Sequence, residues 1–259
     1  MAKSFSPITQ KLYNTSGISG YIYLMSILSG YPVGAKITSE LIKNKQIDLG
    51  QAHRIICFTS TSGPLFILGT VAIGMFNNQI IGYIIIFSHF VGALLNGLLY
   101  RKYMITYPIQ NVIPLNFNQK NLLEDIMYNS IKSILIVGGY VCMFFMIITI
   151  LNHYNILYGL NAVLCKIIPN LHISTINAIT NGVIELTKGC LDLSALNLPL
   201  NIVTPMLSGL ISFGGISIFL QAATFLKDAG INLKFYFKQK ITHSIISVFI
   251  SILLCSILI

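Results

Sequence analysis

The sequence predicts an all-α, polytopic membrane protein made of two inverted-topology repeats that contain broken or re-entrant helices. Three observations predict it: a composition too apolar for a solvated surface, a mixture of clean and interrupted apolar runs, and a weak internal match at a fixed offset.

Of 259 residues, 54% are hydrophobic and only 9% are charged, where a soluble domain is about one-quarter charged. Mean hydropathy is +0.77, so the lipid bilayer is the natural solvent. The formal net charge of +9 does not point to nucleic acid. The lysines are scattered between apolar runs and form no basic face with interleaved aromatics. Five isolated cysteines, with no CxxC, read as small core thiols rather than as a metal or disulfide framework. Residues 1–16 are largely polar and hold no signal-peptide apolar region.

Three apolar runs are clean: 79–100, 131–151 and 241–259. Each is long enough, or nearly so, to cross about 30 Å of hydrocarbon. Four others are interrupted: 17–35 by SG and GYPVG, 55–76 by TSTSGP, 171–190 by NG with a Glu and a Lys, and 202–226 by SFGG. Unpaired backbone at membrane depth is tolerated only where protein buries it or where it lines a wet cavity. Four such breaks predict a cavity.

An offset of 152 residues carries Ser29-Gly30 onto Asn181-Gly182, Lys36 onto Lys188, Glu40-Leu41 onto Asp192-Leu193, Ser60 onto Ser212 and Gly63 onto Gly215. Each broken segment of the first half lands on a broken segment of the second. The predicted division is a first repeat at 1–110, a cytoplasmic linker at 111–130 and a second repeat at 131–259. Basic residues at 37–54, after 100 and at 227–240 place those segments inside. The mate of 37–54, near 191–201, then lies outside, so the halves are inverted, as in many secondary transporters. The clean span 131–151 has no mate, so the first repeat is expected to lack its opening helix. Residues 37–52 read as a short interfacial amphipathic helix.

Intramembrane ionisable groups are the candidate functional residues. Glu185 and Lys188 share a helix face at a spacing of three, either as a neutralising ion pair or as a coupling-ion or proton site (Glu185) beside an anion ligand (Lys188). Lys36 is either a snorkelling interfacial lysine or the second half of an anion clamp with Lys188. Ser60, Thr61, Ser62 and Gly63 precede Pro64, which suits the first turn of a half-helix. With Asn181, Gly214 and Gly215 they are candidate substrate contacts through hydroxyls, amide and exposed N–H groups. His89 is a packing histidine or a proton carrier. There is no nucleophile–base pair, P-loop or metal spacing, so neither an enzyme nor a cofactor is expected.

The stretches SGYPVGAKITSELI, FTSTSGPLFILGTVAIGMF, FSHFVGALLNGLLYR, NGVIELTKG and FGGISIFLQ together resemble the YlbJ-like family of sporulation integral membrane proteins. That family belongs to the nucleoside-recognition or gate-domain group and is similar in organisation to concentrative nucleoside transporters. The resemblance covers essentially the whole chain in order. It implies transport of dipicolinic acid, a small aromatic dianion, across the outer forespore membrane. Alternatives are a nucleoside or other small-solute transporter, and a non-transporting membrane scaffold for spore assembly. The implied partners are the lipid bilayer, the anion, and either a second copy or an upstream partner segment, since family members usually carry further hydrophobic segments before GYPVGAK.

Overall fold

The computed structural model describes residues 2–105, 122–167 and 171–259, and every regular element among them is a helix. The expected linker at 111–130 falls outside the described residues up to position 121.

The first half contains α1 (Ala2–Tyr13), α2 (Ile18–Ser29), α3 (Val33–Lys43), α4 (Leu49–Thr59), α5 (Leu65–Met75) and α6 (Gln79–Leu99). The long α7 (Leu122–His153) follows, then α8 (Tyr158–Ile167), α9 (Ile173–Ile184), α10 (Leu186–Ser194), α11 (Leu200–Phe213), α12 (Gly215–Asp228) and α13 (Leu233–Leu258). Four stretches are long and apolar enough to cross a bilayer: Gln79–Leu99, Met127–His153, Leu200–Asp228 and Leu233–Leu258. These cover the three clean runs and the interrupted run at 202–226.

The interruptions have distinct local causes. Gly30 turns at φ +72° and is followed by a cis Tyr31–Pro32 bond between α2 and α3. Residues 60–63 are non-helical, and Pro64 opens α5, which is wound as a wide π-helix. Glu185 is a single extended residue between α9 and α10. These two helices fold back on one another, and a Cβ on Gly189 would overlap the Cα of Gly182. Gly214 and Gly215, at φ +87° and +75°, separate α11 from α12. L-residues with side chains rarely adopt that region, so both positions require glycine.

Two cores hold the bundle. One joins α2, α3 and α4 to α12 and α13, through Ile22, Leu41, Ile55, Ile56, Leu226 and Tyr236. The other joins α9, α10 and α11 to α5 and α6, through Ile67, Ile81, Ile85, Leu186, Leu207 and Ile211. Between them α6 and α13 lie close, because a Cβ on Gly92 would run into Ser247. Small residues allow such approach where no hydrophobic effect drives helices together.

The last span starts earlier than its apolar run, at Leu233, so Lys234, Lys238 and Lys240 are helical and 227–240 is not a basic loop. Residues 37–52 are not one amphipathic helix. The chain turns after Lys43, Lys45 takes φ 54°, and Asp48 restarts the helix by accepting from the Gln51 N–H at 2.8 Å.

Arg54 is buried rather than a free cytoplasmic charge. Its guanidinium donates to the carbonyls of Asn14 (3.2 Å), Tyr103 (2.9 Å) and Met104 (2.5 Å), tying α1 and the end of α6 to α4. Arg54→Ala removes the donor from all three carbonyls. It is expected to lower stability by roughly 2–3 kcal/mol, read as an earlier thermal transition in detergent, with partial recovery in Arg54→Lys.

Candidate functional site

Three of the breaks converge on one cavity of about 330 Å³. Gly30 and Tyr31 come from the first break, Ser62 and Gly63 from the second, Glu185 and Thr187 from the third. Val137 and Val141 of α7, with Ile218 and Gln221 of α12, add to the lining. The first turns of α5 and α10 border the space through Leu65, Phe66 and Leu186, and helix N-termini favour negative charge. Glu185 is buried, and its carboxylate accepts from the Lys188 N–H at 2.7 Å, so it caps α10 from the cavity wall.

A groove of about 1000 Å³ adjoins this cavity and shares Ser29, Tyr31 and Val137 with it. Lys36 and Glu40 of α3 line the groove opposite Asn129 and Ser133 of α7. The Lys36 ammonium donates to Ser133 Oγ at 3.1 Å. Lys36 therefore faces the approach to the cavity.

Lys188 is elsewhere. Its ammonium pairs with Asp192, not with Glu185. The extended backbone at Glu185 ends the helix, so the spacing of three no longer puts the two on one face. Lys188, Asp192 and Asn181 line a separate polar pocket with Asn152 of α7 and Asn155 in the turn after it. Asn181 donates to Asp192 at 2.7 Å and accepts from Asn152 at 3.3 Å. Ser133 in the groove and Asn152 in this pocket are 19 residues apart on one helix, about 28 Å at 1.5 Å per residue. Lys36 and Lys188 are thus not brought together, and a two-lysine clamp on one small anion does not form.

The other candidates divide. Ser62 and Gly63 line the cavity, while Ser60 and Thr61 point into the packed interior. Ser60 Oγ shares a 2.7 Å hydrogen bond with Tyr236 OH, and Thr61 donates to Ser26 at 3.2 Å. Gly214 and Gly215 do not line the cavity. Gly215 instead sits against the backbone of Gly182, Ile184 and Leu186, locking two breaks together. His89 Nε2 accepts from the Ser62 N–H at 2.9 Å, so Nδ1 carries the proton and donates to Ser212 Oγ at 2.8 Å. His89 is a staple between the second and fourth breaks.

Lys240 was not among the residues singled out by sequence. It is buried, donates to Tyr31 OH (2.6 Å) and the Ser60 carbonyl (3.2 Å), and lies 4.4 Å from the Tyr31 ring centroid. Tyr31 OH reaches on to the Ile211 carbonyl at 3.2 Å. This lysine therefore joins the first, second and fourth breaks behind the cavity, with no carboxylate bound to it among the described residues. The legible signal was a polar stripe: Tyr236, Lys240, His243, Ser247 and Ser251 recur at helical spacing, and all are buried.

Among the described residues no His, Cys, Asp and Glu cluster is placed to hold a metal. Helices, breaks and cavities together define a polytopic α-helical integral membrane protein with chambers between its helices. The chain is similar to the sporulation integral membrane protein YlbJ of Bacillus subtilis (strain 168), at 26% identity over 262 aligned positions. That similarity covers 92% of this chain and spans 64% of the relative's length. It supports the YlbJ-like family assignment read from the sequence. No family model matches the chain, and no solved structure does.

Proposed function

We propose that the protein carries a small organic anion, with dipicolinate the candidate, across the outer forespore membrane by alternating access between two inverted gate repeats. The observation that carries this reading is the cavity where three helix breaks meet, approached through a groove that presents Lys36.

The repeat reading has its own support. The 152-residue offset places α1–α6 on α8–α13 in order, and α7 alone has no mate in this chain. The same exchange turns the core of α2–α4 with α12–α13 into the core of α9–α11 with α5–α6. Gly30 lies against Gly63, and their mates Gly182 and Gly215 are likewise in contact. The mates Lys36 and Lys188 line chambers at opposite ends of α7, as a pseudo-two-fold axis in the membrane plane requires. On this reading α1–α6 form the first gate repeat and α7 opens the second.

The groove marks the cytoplasmic face. Basic stretches gather at that end: Lys43 lies 4.0 Å from Asp228, and His53 accepts from the Asn232 N–H at 3.1 Å. Glu185 stands inside the cavity, where a carboxylate and an organic anion repel, so the anion enters together with a proton on Glu185. No enzymatic step is assigned.

A second reading, transport of a neutral solute such as a nucleoside, is favoured by one observation: among the described residues the cavity's own lining holds no Lys, Arg or His. Equilibrium binding to purified protein separates the two. Dipicolinate binding that Lys36→Ala weakens supports the anion. Uridine binding that ignores Lys36, with no binding of dipicolinate, replaces it. A scaffold binds neither.

A further inference from the structure

The geometry points to α7 as the wall of one continuous solute path, closed at a single level by Phe144 and Ile148. This inference rests on the transport reading and extends it to the route, the gate and a second vestibule.

α7 is the least covered membrane-length helix, with 11% of its apolar window buried. Yet one stripe of it touches the groove, the cavity and the polar pocket in turn. Ser133 faces the groove, Val137 both groove and cavity, Val141 the cavity, and Asn152 the polar pocket, which Asn155 lines just past the end of the helix. Phe144 (7% exposed) and Ile148 (0%) are the buried side chains of this helix among its described residues, and they lie between Val141 and Asn152. Positions 137, 141, 144, 148 and 152 recur at three- and four-residue steps, so the plug is on the same stripe as the chambers it separates. From Val141 to Asn152 is 11 residues, about 16 Å of rise, with no chamber lining among the described residues between Val141 and Leu151.

The far pocket, about 330 Å³, is built from amides. Asn161 donates to Asn177 at 2.6 Å, and Thr180 donates to Asn161 at 2.8 Å. Amides offer both donors and acceptors, and the Lys188–Asp192 pair adds one charge of each sign. That chemistry suits transient hydration of a polar organic solute as it leaves, rather than tight capture of one charge sign. The structure is thus open toward the Lys36 end and shut toward the asparagine end.

The test is thiol accessibility along α7 in proteoliposomes of known orientation, using this chain with its five cysteines replaced and a membrane-impermeant cationic methanethiosulfonate. Ser133→Cys and Val137→Cys are expected to react from the Lys36 side only. Asn152→Cys and Asn155→Cys are expected to react from the opposite side only. The outward-facing Leu135→Cys and Met146→Cys are expected to react from neither. Adding Phe144→Ala, or separately Ile148→Ala, should make Val137→Cys reactive from both sides, in protein that remains monodisperse. Reaction of Val137→Cys from the asparagine side with Phe144 and Ile148 intact would overturn the proposal, as would unchanged sidedness in both alanine variants. The labelling needs no solute. The expected pattern without protection of Val137→Cys by dipicolinate keeps the path and removes the anion.

Discussion

Glu185→Gln is expected to abolish proton-driven accumulation of the anion, by at least tenfold, while leaving the protein folded. The glutamine oxygen can still accept from the Lys188 N–H, so the start of α10 keeps its cap. What it cannot do is gain or lose a proton. Two unit charges about 6 Å apart at an effective dielectric near 20 repel by about 3 kcal/mol, a factor of roughly 100 in affinity. On the proposed function that repulsion would link the two ligands: protonation would favour the anion and the anion would favour protonation, by the same factor. The sign follows. Native affinity should rise as pH falls, and the variant should bind equally at all pH values, at the level the native protein reaches in acid. Dipicolinate titrations across pH, paired with uptake into proteoliposomes with and without an imposed proton gradient, read both effects. Retained pH dependence in the variant would move the coupling group elsewhere.

The second large effect is expected at Lys36. Lys36→Ala should weaken anion binding at least tenfold and remove most of its dependence on ionic strength. Lys36→Arg should retain much of both. The ammonium lines the groove and makes one hydrogen bond there, to Ser133, with the Glu40 carboxylate lining the same groove one turn along α3 and opposing part of its field. A partly exposed cation steers an anion through a field that falls off within about a Debye length of 8–10 Å. Lys188→Ala is the control. It faces the opposite chamber and is paired with Asp192, so binding from the Lys36 side should change little.

The lysines also show how far the sequence could be read. Apolar runs and breaks are local signals, and they marked the long spans and the four interrupted runs, although Asn181-Gly182 is helical and the third break falls at Glu185. The clamp between Lys36 and Lys188 treated repeat mates as neighbours. Gly30–Gly63 and Gly182–Gly215 are each in contact, while Lys36 and Lys188 line separate chambers, the separation that the proposed inversion would give to mates away from the midplane. Glu185 and Lys188 share a face only on an unbroken helix, and the break falls on Glu185 itself. Lys240 was hidden by composition: with Lys227, Lys234 and Lys238 it resembled a basic loop. Helical periodicity carried through position 240 would have placed it on the stripe with His243 and Ser247. Arg54 was concealed in the same way, because burial against the carbonyls of Tyr103 and Met104 depends on the chain returning through α6. The cavity itself joins segments more than 150 residues apart, a relation that no local pattern encodes.

On the proposed function, a small organic anion passes through the chamber between Lys36 and the asparagine pocket. Counterflow of labelled dipicolinate into preloaded proteoliposomes containing this chain tests it most directly. Saturable counterflow above that of protein-free liposomes, reduced by Lys36→Ala and retained by Lys188→Ala, is the predicted result. Flux indistinguishable from protein-free liposomes, in protein that is folded and correctly inserted, would contradict it.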